Sequence, residues 1–164
     1  MTDATKWQQL FRSANRDIRL RAASAMLERQ DTPVPILLEI LDRHSHDGLG
    51  VHVERALLGR AAADLHDAMV ERLSSPDDFV REVACTILGQ SEDKRATRPL
   101  LGMLDDSHMM VRRAAGWALA ALGDPSALVP LQRLQELRTS EDINVRMAIE
   151  AAIQKLQQIE DVAE

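Results

Sequence analysis

The chain has 164 residues, 45% of them hydrophobic, with two Trp, two Phe, no Tyr and a formal net charge of −6. An acidic balance of this kind argues against a nucleic-acid groove, which asks for a strongly basic surface. No apolar run approaches the ~20 residues of a membrane-spanning helix, and a single cysteine, Cys85, excludes an internal disulfide.

Taken in order, the chain opens on polar residues 1–5. Trp7, Leu10 and Phe11 then share one face of a short helix placed to cover an open end. Ile18-Arg19 begins a recurring skeleton: an apolar anchor, an arginine, and small or apolar residues at offsets +4, +7 and +8, here Ala22, Ala25 and Met26. Those offsets fall on one stripe of a 3.6-residue helix. Thr32-Pro33 reads as a capped helix start, followed by Ile36, Leu37, Leu38, Ile40 and Leu41. Residues 43–50, RHSHDGLG, carry two glycines and no apolar period, and read as a loop. A degraded copy of the skeleton is placed at Val51-His52, with Arg55, Leu58 and Gly59.

The second half is more regular. Ser75-Pro76-Asp77-Asp78 leads into Val80-Arg81 with Ala84, Ile87 and Leu88, and Cys85 beside Ala84 reads as a buried, inert thiol. The strongest copy is Val111-Arg112 with Ala115, Ala118 and Leu119, followed by Asp124-Pro125 as another helix start. The last is Val145-Arg146 with Ile149, Ala152 and Ile153. Gly89 and Gly123, just past two of these helices, suit left-handed C-caps. Between copies lie second amphipathic segments, in which Met69, Leu100 and Leu131 recur every 31 residues. The anchors at 18, 51, 80, 111 and 145 give steps of 33, 29, 31 and 34, the period of a solenoid array.

The stretches SSPDDFVREVACTILGQ and DDSHMMVRRAAGWALAALGDPSALVPLQRLQ resemble HEAT repeats, in particular the short bacterial type first noted in phycobilisome lyases. The resemblance implies an all-α fold: an α-solenoid of about five two-helix repeats wound as a right-handed superhelix. One domain, 1–164, would hold repeats at roughly 5–31, 32–63, 64–91, 92–123 and 124–159, with an acidic tail at 160–164.

His44, His46, Asp47 and His52 lie within nine residues and offer metal-binding groups, but their spacing matches no firm motif, so neither metal nor cofactor is expected. Deoxyhypusine hydroxylases share the architecture and use paired His-Glu dipeptides; none occurs here, which argues against that activity. The column Arg19, Arg81, Arg112 and Arg146 reads as structural, tying inter-repeat turns to acids such as Asp77, Asp78, Asp106 and Asp142. The helix face opposite the apolar stripe, concave in HEAT arrays, carries Leu20, Val53, Leu57, Arg113, Trp117 and Met147. Apolar residues on a wet face often mark interaction sites. The leading expectation is a non-enzymatic, cytoplasmic scaffold that docks a protein or peptide partner in this groove. The alternative is a lyase-like or accessory protein acting on a tetrapyrrole-bearing partner.

Overall fold

A computed structural model describes residues 3–60, 65–137 and 142–163. Ten helices follow one another among them, with no strand: α1 (Asp3–Phe11), α2 (Arg16–Leu27), α3 (Val34–His44), α4 (Gly50–Leu58), α5 (His66–Arg72), α6 (Asp78–Gly89), α7 (Thr97–Met103), α8 (Met109–Leu122), α9 (Leu128–Leu137) and α10 (Ile143–Ala163). The fold is all-α, an α-solenoid of helix pairs. The chain divides into two compact units, residues 1–60 and 61–164. No helix of the described residues is long and apolar enough to cross a membrane.

Local chemistry sets the helix starts. The Asn15 side chain accepts the backbone N–H groups of Asp17 and Ile18, and Asp77 accepts those of Phe79 and Val80. Asp142 does the same for Asn144 at the head of α10. Each carboxylate or amide oxygen satisfies donors that the first helical turn leaves open. Gly123 closes α8 in the left-handed region, at φ 64°, where a β-carbon is costly. At the far end α10 runs on through Glu160 to Ala163, so the acid-rich segment extends the helix.

In the unit of residues 61–164 the helices form two layers. α5 packs on α6, α7 on α8 and α9 on α10, while α6, α8 and α10 lie side by side. Met69, Leu100 and Leu131 are fully buried at their 31-residue spacing, and opposite them lie Ala84, Leu88, Ala115, Leu119 and Ala152, also sealed. Cys85 is part of this core, fully buried, and desolvation pushes its thiol up to about 12. A thiol held protonated is a poor nucleophile.

Small residues decide how closely the second-layer helices approach. A β-carbon added to Gly89 would sit 2.5 Å from the Ala118 α-carbon, and one on Gly116 would sit 2.9 Å from the Ala148 β-carbon. Gly89 is thus the last residue of α6 and a contact glycine, where a left-handed cap was expected; its backbone is not in the positive-φ region.

The second copy of the skeleton also shifts. Val53 and Leu57 are fully buried, whereas Val51 is 58% exposed. The stripe of α4 therefore starts from Leu49, with Val53, Ala56 and Leu57 at +4, +7 and +8. The anchors become 18, 49, 80 and 111, each 31 after the last, followed by 145. Val53 and Leu57 are corrected from the outer face to the core.

Gly89→Ala is expected to destabilise the protein by about 1–3 kcal/mol, because its new methyl meets backbone that cannot swing aside. Gly102→Ala, in α7 with nothing within 4 Å of the new β-carbon, is expected to stabilise by about 0.5–1 kcal/mol through backbone entropy. Urea unfolding of the two variants checks the opposite signs.

Candidate functional site

The arginine column ties turns, as the sequence suggests, chiefly through backbone carbonyls. Arg19 donates to the carbonyl oxygens of Ser13 and Ala14 at 2.9 and 2.8 Å. Arg81 donates to that of Ser75 at 2.8 Å, and Arg112 to those of Asp106 and Ser107 at 2.9 and 3.1 Å. Residues 140 and 141, which the same geometry would offer to Arg146, lie outside the described residues.

Arg81 makes a second connection. Its Nε and Nη2 donate to the two carboxylate oxygens of Asp106, at 2.7 and 2.9 Å, with both side chains largely buried. This fork joins the α6 repeat to the turn before α8. Burial by itself would push the Asp106 carboxyl up, but the Arg81 guanidinium and the His108 backbone N–H outweigh it and hold the group below the usual carboxylate range.

The clamp fixes the outer face of the second layer, on the side away from α5, α7 and α9. Trp117 stands there 48% exposed, with Met147 at 54%. Met109 and Ile143 are exposed on the same two helices. Between α6 and α8 runs a groove of about 250 Å³ lined by Glu82, Thr86, Gln90, Arg113 and Trp117. Arg113 and Glu82 face each other across it with a nitrogen–oxygen separation of 3.7 Å. That is ion-pair range but beyond a hydrogen bond, so the carboxylate has room to take a better cationic donor.

The predicted face is thus assembled in part. Trp117, Arg113 and Met147 belong to it, on α8 and α10. Leu20, half-buried, lies on α2 in the other unit, and Val53 and Leu57 are withdrawn into the core. Glu82 was passed over, although it stands at the same +2 offset as Arg113, one repeat earlier; that shared offset was the available signal.

Histidine chemistry is sparse. The side chains of His44 and His46 lie outside the described residues, His52 is exposed on α4, and Asp47 pairs with Arg16. His66 is buried, with Nδ1 3.4 Å from Asp93 Oδ2, and His108 Nδ1 lies 3.3 Å from Asp78 Oδ2. Each is a single imidazole–carboxylate pair. No three His, Cys, Asp or Glu side chains among the described residues form a metal-holding group.

A model of HEAT repeats matches residues 66–154. The chain belongs to the HEAT-repeat family. It is similar to the deoxyhypusine hydroxylase of Gallus gallus, 33% identical over 112 residues, which cover 67% of this chain and 36% of that one. The deoxyhypusine hydroxylase of Chaetomium globosum is 28% identical over 133 residues, 80% of this chain and 37% of the relative. That of Bos taurus is 38% identical over 72 residues, 43% and 23% of the two chains. The matched stretches therefore span between 23% and 37% of the length of these relatives. The crystal structure of an engineered protein has the same fold, with a TM-score of 0.60 at 20% identity, over 94% of this chain and 79% of that one.

These relatives overturn the expectation of a non-enzymatic scaffold, since all three are named for a hydroxylase. The tetrapyrrole-linked alternative finds no support among them. The missing His-Glu dipeptide concerns a few positions, whereas the likeness to these enzymes extends over 72 to 133 residues. The donor set of the described residues nonetheless does not fit a metal centre of that kind.

The Asp106 carboxylate gives a pH signature. With its folded value lowered, its stabilisation is present above the unfolded value of about 3.9 and is lost as pH falls through the folded value. Asp106→Asn is expected to be less stable than wild type at pH 7, with the gap closing below about pH 4. Denaturant titrations at pH 7, 5 and 3.5 measure it.

Proposed function

We propose that this HEAT chain works in an enzyme of the deoxyhypusine hydroxylase type as the array that holds the protein substrate, with the oxidising chemistry supplied by groups outside the described residues. Its substrate, on this reading, is a protein carrying deoxyhypusine, a lysine-derived side chain with a long, cationic, amine-bearing arm. On this reading the work is done in the cytoplasm.

The observation that carries the reading is the pairing of a half-exposed indole with a carboxylate across one groove. An indole face attracts an alkylammonium through its quadrupole, typically by about 0.5–2 kcal/mol. Glu82, held only loosely by Arg113, supplies the countercharge. Thr86 and Gln90 line the same groove and offer hydrogen-bonding groups to a polar arm. Met147 and Ile143 extend an apolar surface on α10, the neighbouring helix, suited to the substrate's backbone and side chains.

Titration calorimetry with a deoxyhypusine-bearing peptide and its unmodified lysine counterpart tests this. The modified peptide is expected to bind at least tenfold more tightly, and Trp117→Ala and Glu82→Gln each to remove at least tenfold of that affinity without loss of helical circular dichroism, as for a typical anchor residue. Equal affinity for the two peptides, or unchanged binding by both variants, would refute the assignment.

A further inference from the structure

The unit of residues 1–60 differs from the α6–α8 pair at one decisive place. Two periods of 31 residues before Gly89 stands Leu27, and two periods before Ala118 stands Ala56. In α6 and α8 the glycine lets the backbones meet, and the helices lie against each other along their length. A leucine at that crossing rules out the same approach, and α2 and α4 touch at few points. The gap between them is a cavity of about 390 Å³, within the range of small-molecule sites.

Its lining is chemically divided. Leu27, Leu49 and Ala56 line it with apolar surface and Ser24 adds a hydroxyl, while Glu28, His52 and Arg55, all exposed to solvent, complete the lining. Among the described residues no ion pair joins these three to one another or to any other side chain. An acid and two bases left unpaired beside this apolar surface complement a ligand that bears both charges and an apolar body.

We propose that this cavity binds an apolar zwitterion, an α-amino acid with an aliphatic side chain. The carboxylate meets the Arg55 guanidinium, which has the fork geometry for it, with His52 beside it. The ammonium group meets Glu28. The aliphatic side chain lies on Leu27, Leu49 and Ala56, where it loses its contact with water. The site is separate from the Trp117 groove and does not depend on the substrate assigned there.

Calorimetry on the full chain uses L-leucine as the probe, beside 4-methylpentanoate, which lacks the amine, and isoamylamine, which lacks the carboxylate. L-leucine is expected to bind at least tenfold more tightly than either. Arg55→Ala and Glu28→Gln, both surface changes, are each expected to weaken it at least tenfold with the helical signal intact. Leu27→Gly is expected to abolish binding by letting the helices close. No heat with L-leucine, equal binding of a singly charged analogue, or full binding by Arg55→Ala would overturn the proposal.

Discussion

Where α6 crosses α8 there is no room for a β-carbon on Gly89, and where α8 crosses α10 there is little for one on Gly116. Contact this close brings backbone atoms of neighbouring repeats into van der Waals range and leaves no slack for larger side chains. It explains why α8 is buried through Ala114, Ala115, Ala118 and Ala120. It also explains why a domain with so few aromatics still seals its core, since short side chains let many atoms meet. The same constraint pushes the one large aromatic of α8 outward, so that Trp117 is left on the face where α6, α8 and α10 present their outer sides. Relaxed at Leu27, it leaves a cavity instead.

Polar groups then lock what the small residues bring together. Arg19, Arg81 and Arg112 each reach back to carbonyl oxygens of the turn before their own helix. Arg81 also crosses forward, forking onto Asp106, and the charge of Arg112 likewise acts forward on the Asp142 carboxylate. The turn before α8 is thereby gripped from both sides, by Arg81 at the Asp106 side chain and by Arg112 at the Asp106 carbonyl. A groove whose walls are set this firmly can place Glu82 and Trp117 at a fixed spacing, which substrate recognition needs more than strength.

Much of this was legible in residue order. The Val-Arg-x-x-Ala pattern of α6 and α8 and the 31-residue spacing of Met69, Leu100 and Leu131 locate the buried stripe directly. The second copy was misplaced by two residues because its arginine is replaced by Gly50, leaving Val51-His52 as the nearest resemblance. Residues two apart lie on different sides of a helix, so the two-residue slip turned Val53 and Leu57 inside out. Gly89 was misread because a glycine near a helix end is commonly a cap, and a neighbouring backbone 2.5 Å from its missing methyl is a tertiary fact. Trp117 was recognisable as surplus to the repeat. Glu82 shares the +2 offset of Arg113 one repeat earlier, but its place across the groove from Trp117 follows only from α6 and α8 lying side by side.

Native-state hydrogen exchange tests most directly whether the small-residue crossings bind α6, α8 and α10 into one rigid layer. Amides of Val111 to Leu122 are expected to be among the slowest in the protein and to open together with those of α6 and α10 at one shared free energy. Those of α2 and α4, held apart at Leu27, are expected to open at a lower one. Exchange of α8 as fast as that of α2, or separate opening of α6, α8 and α10, would contradict it.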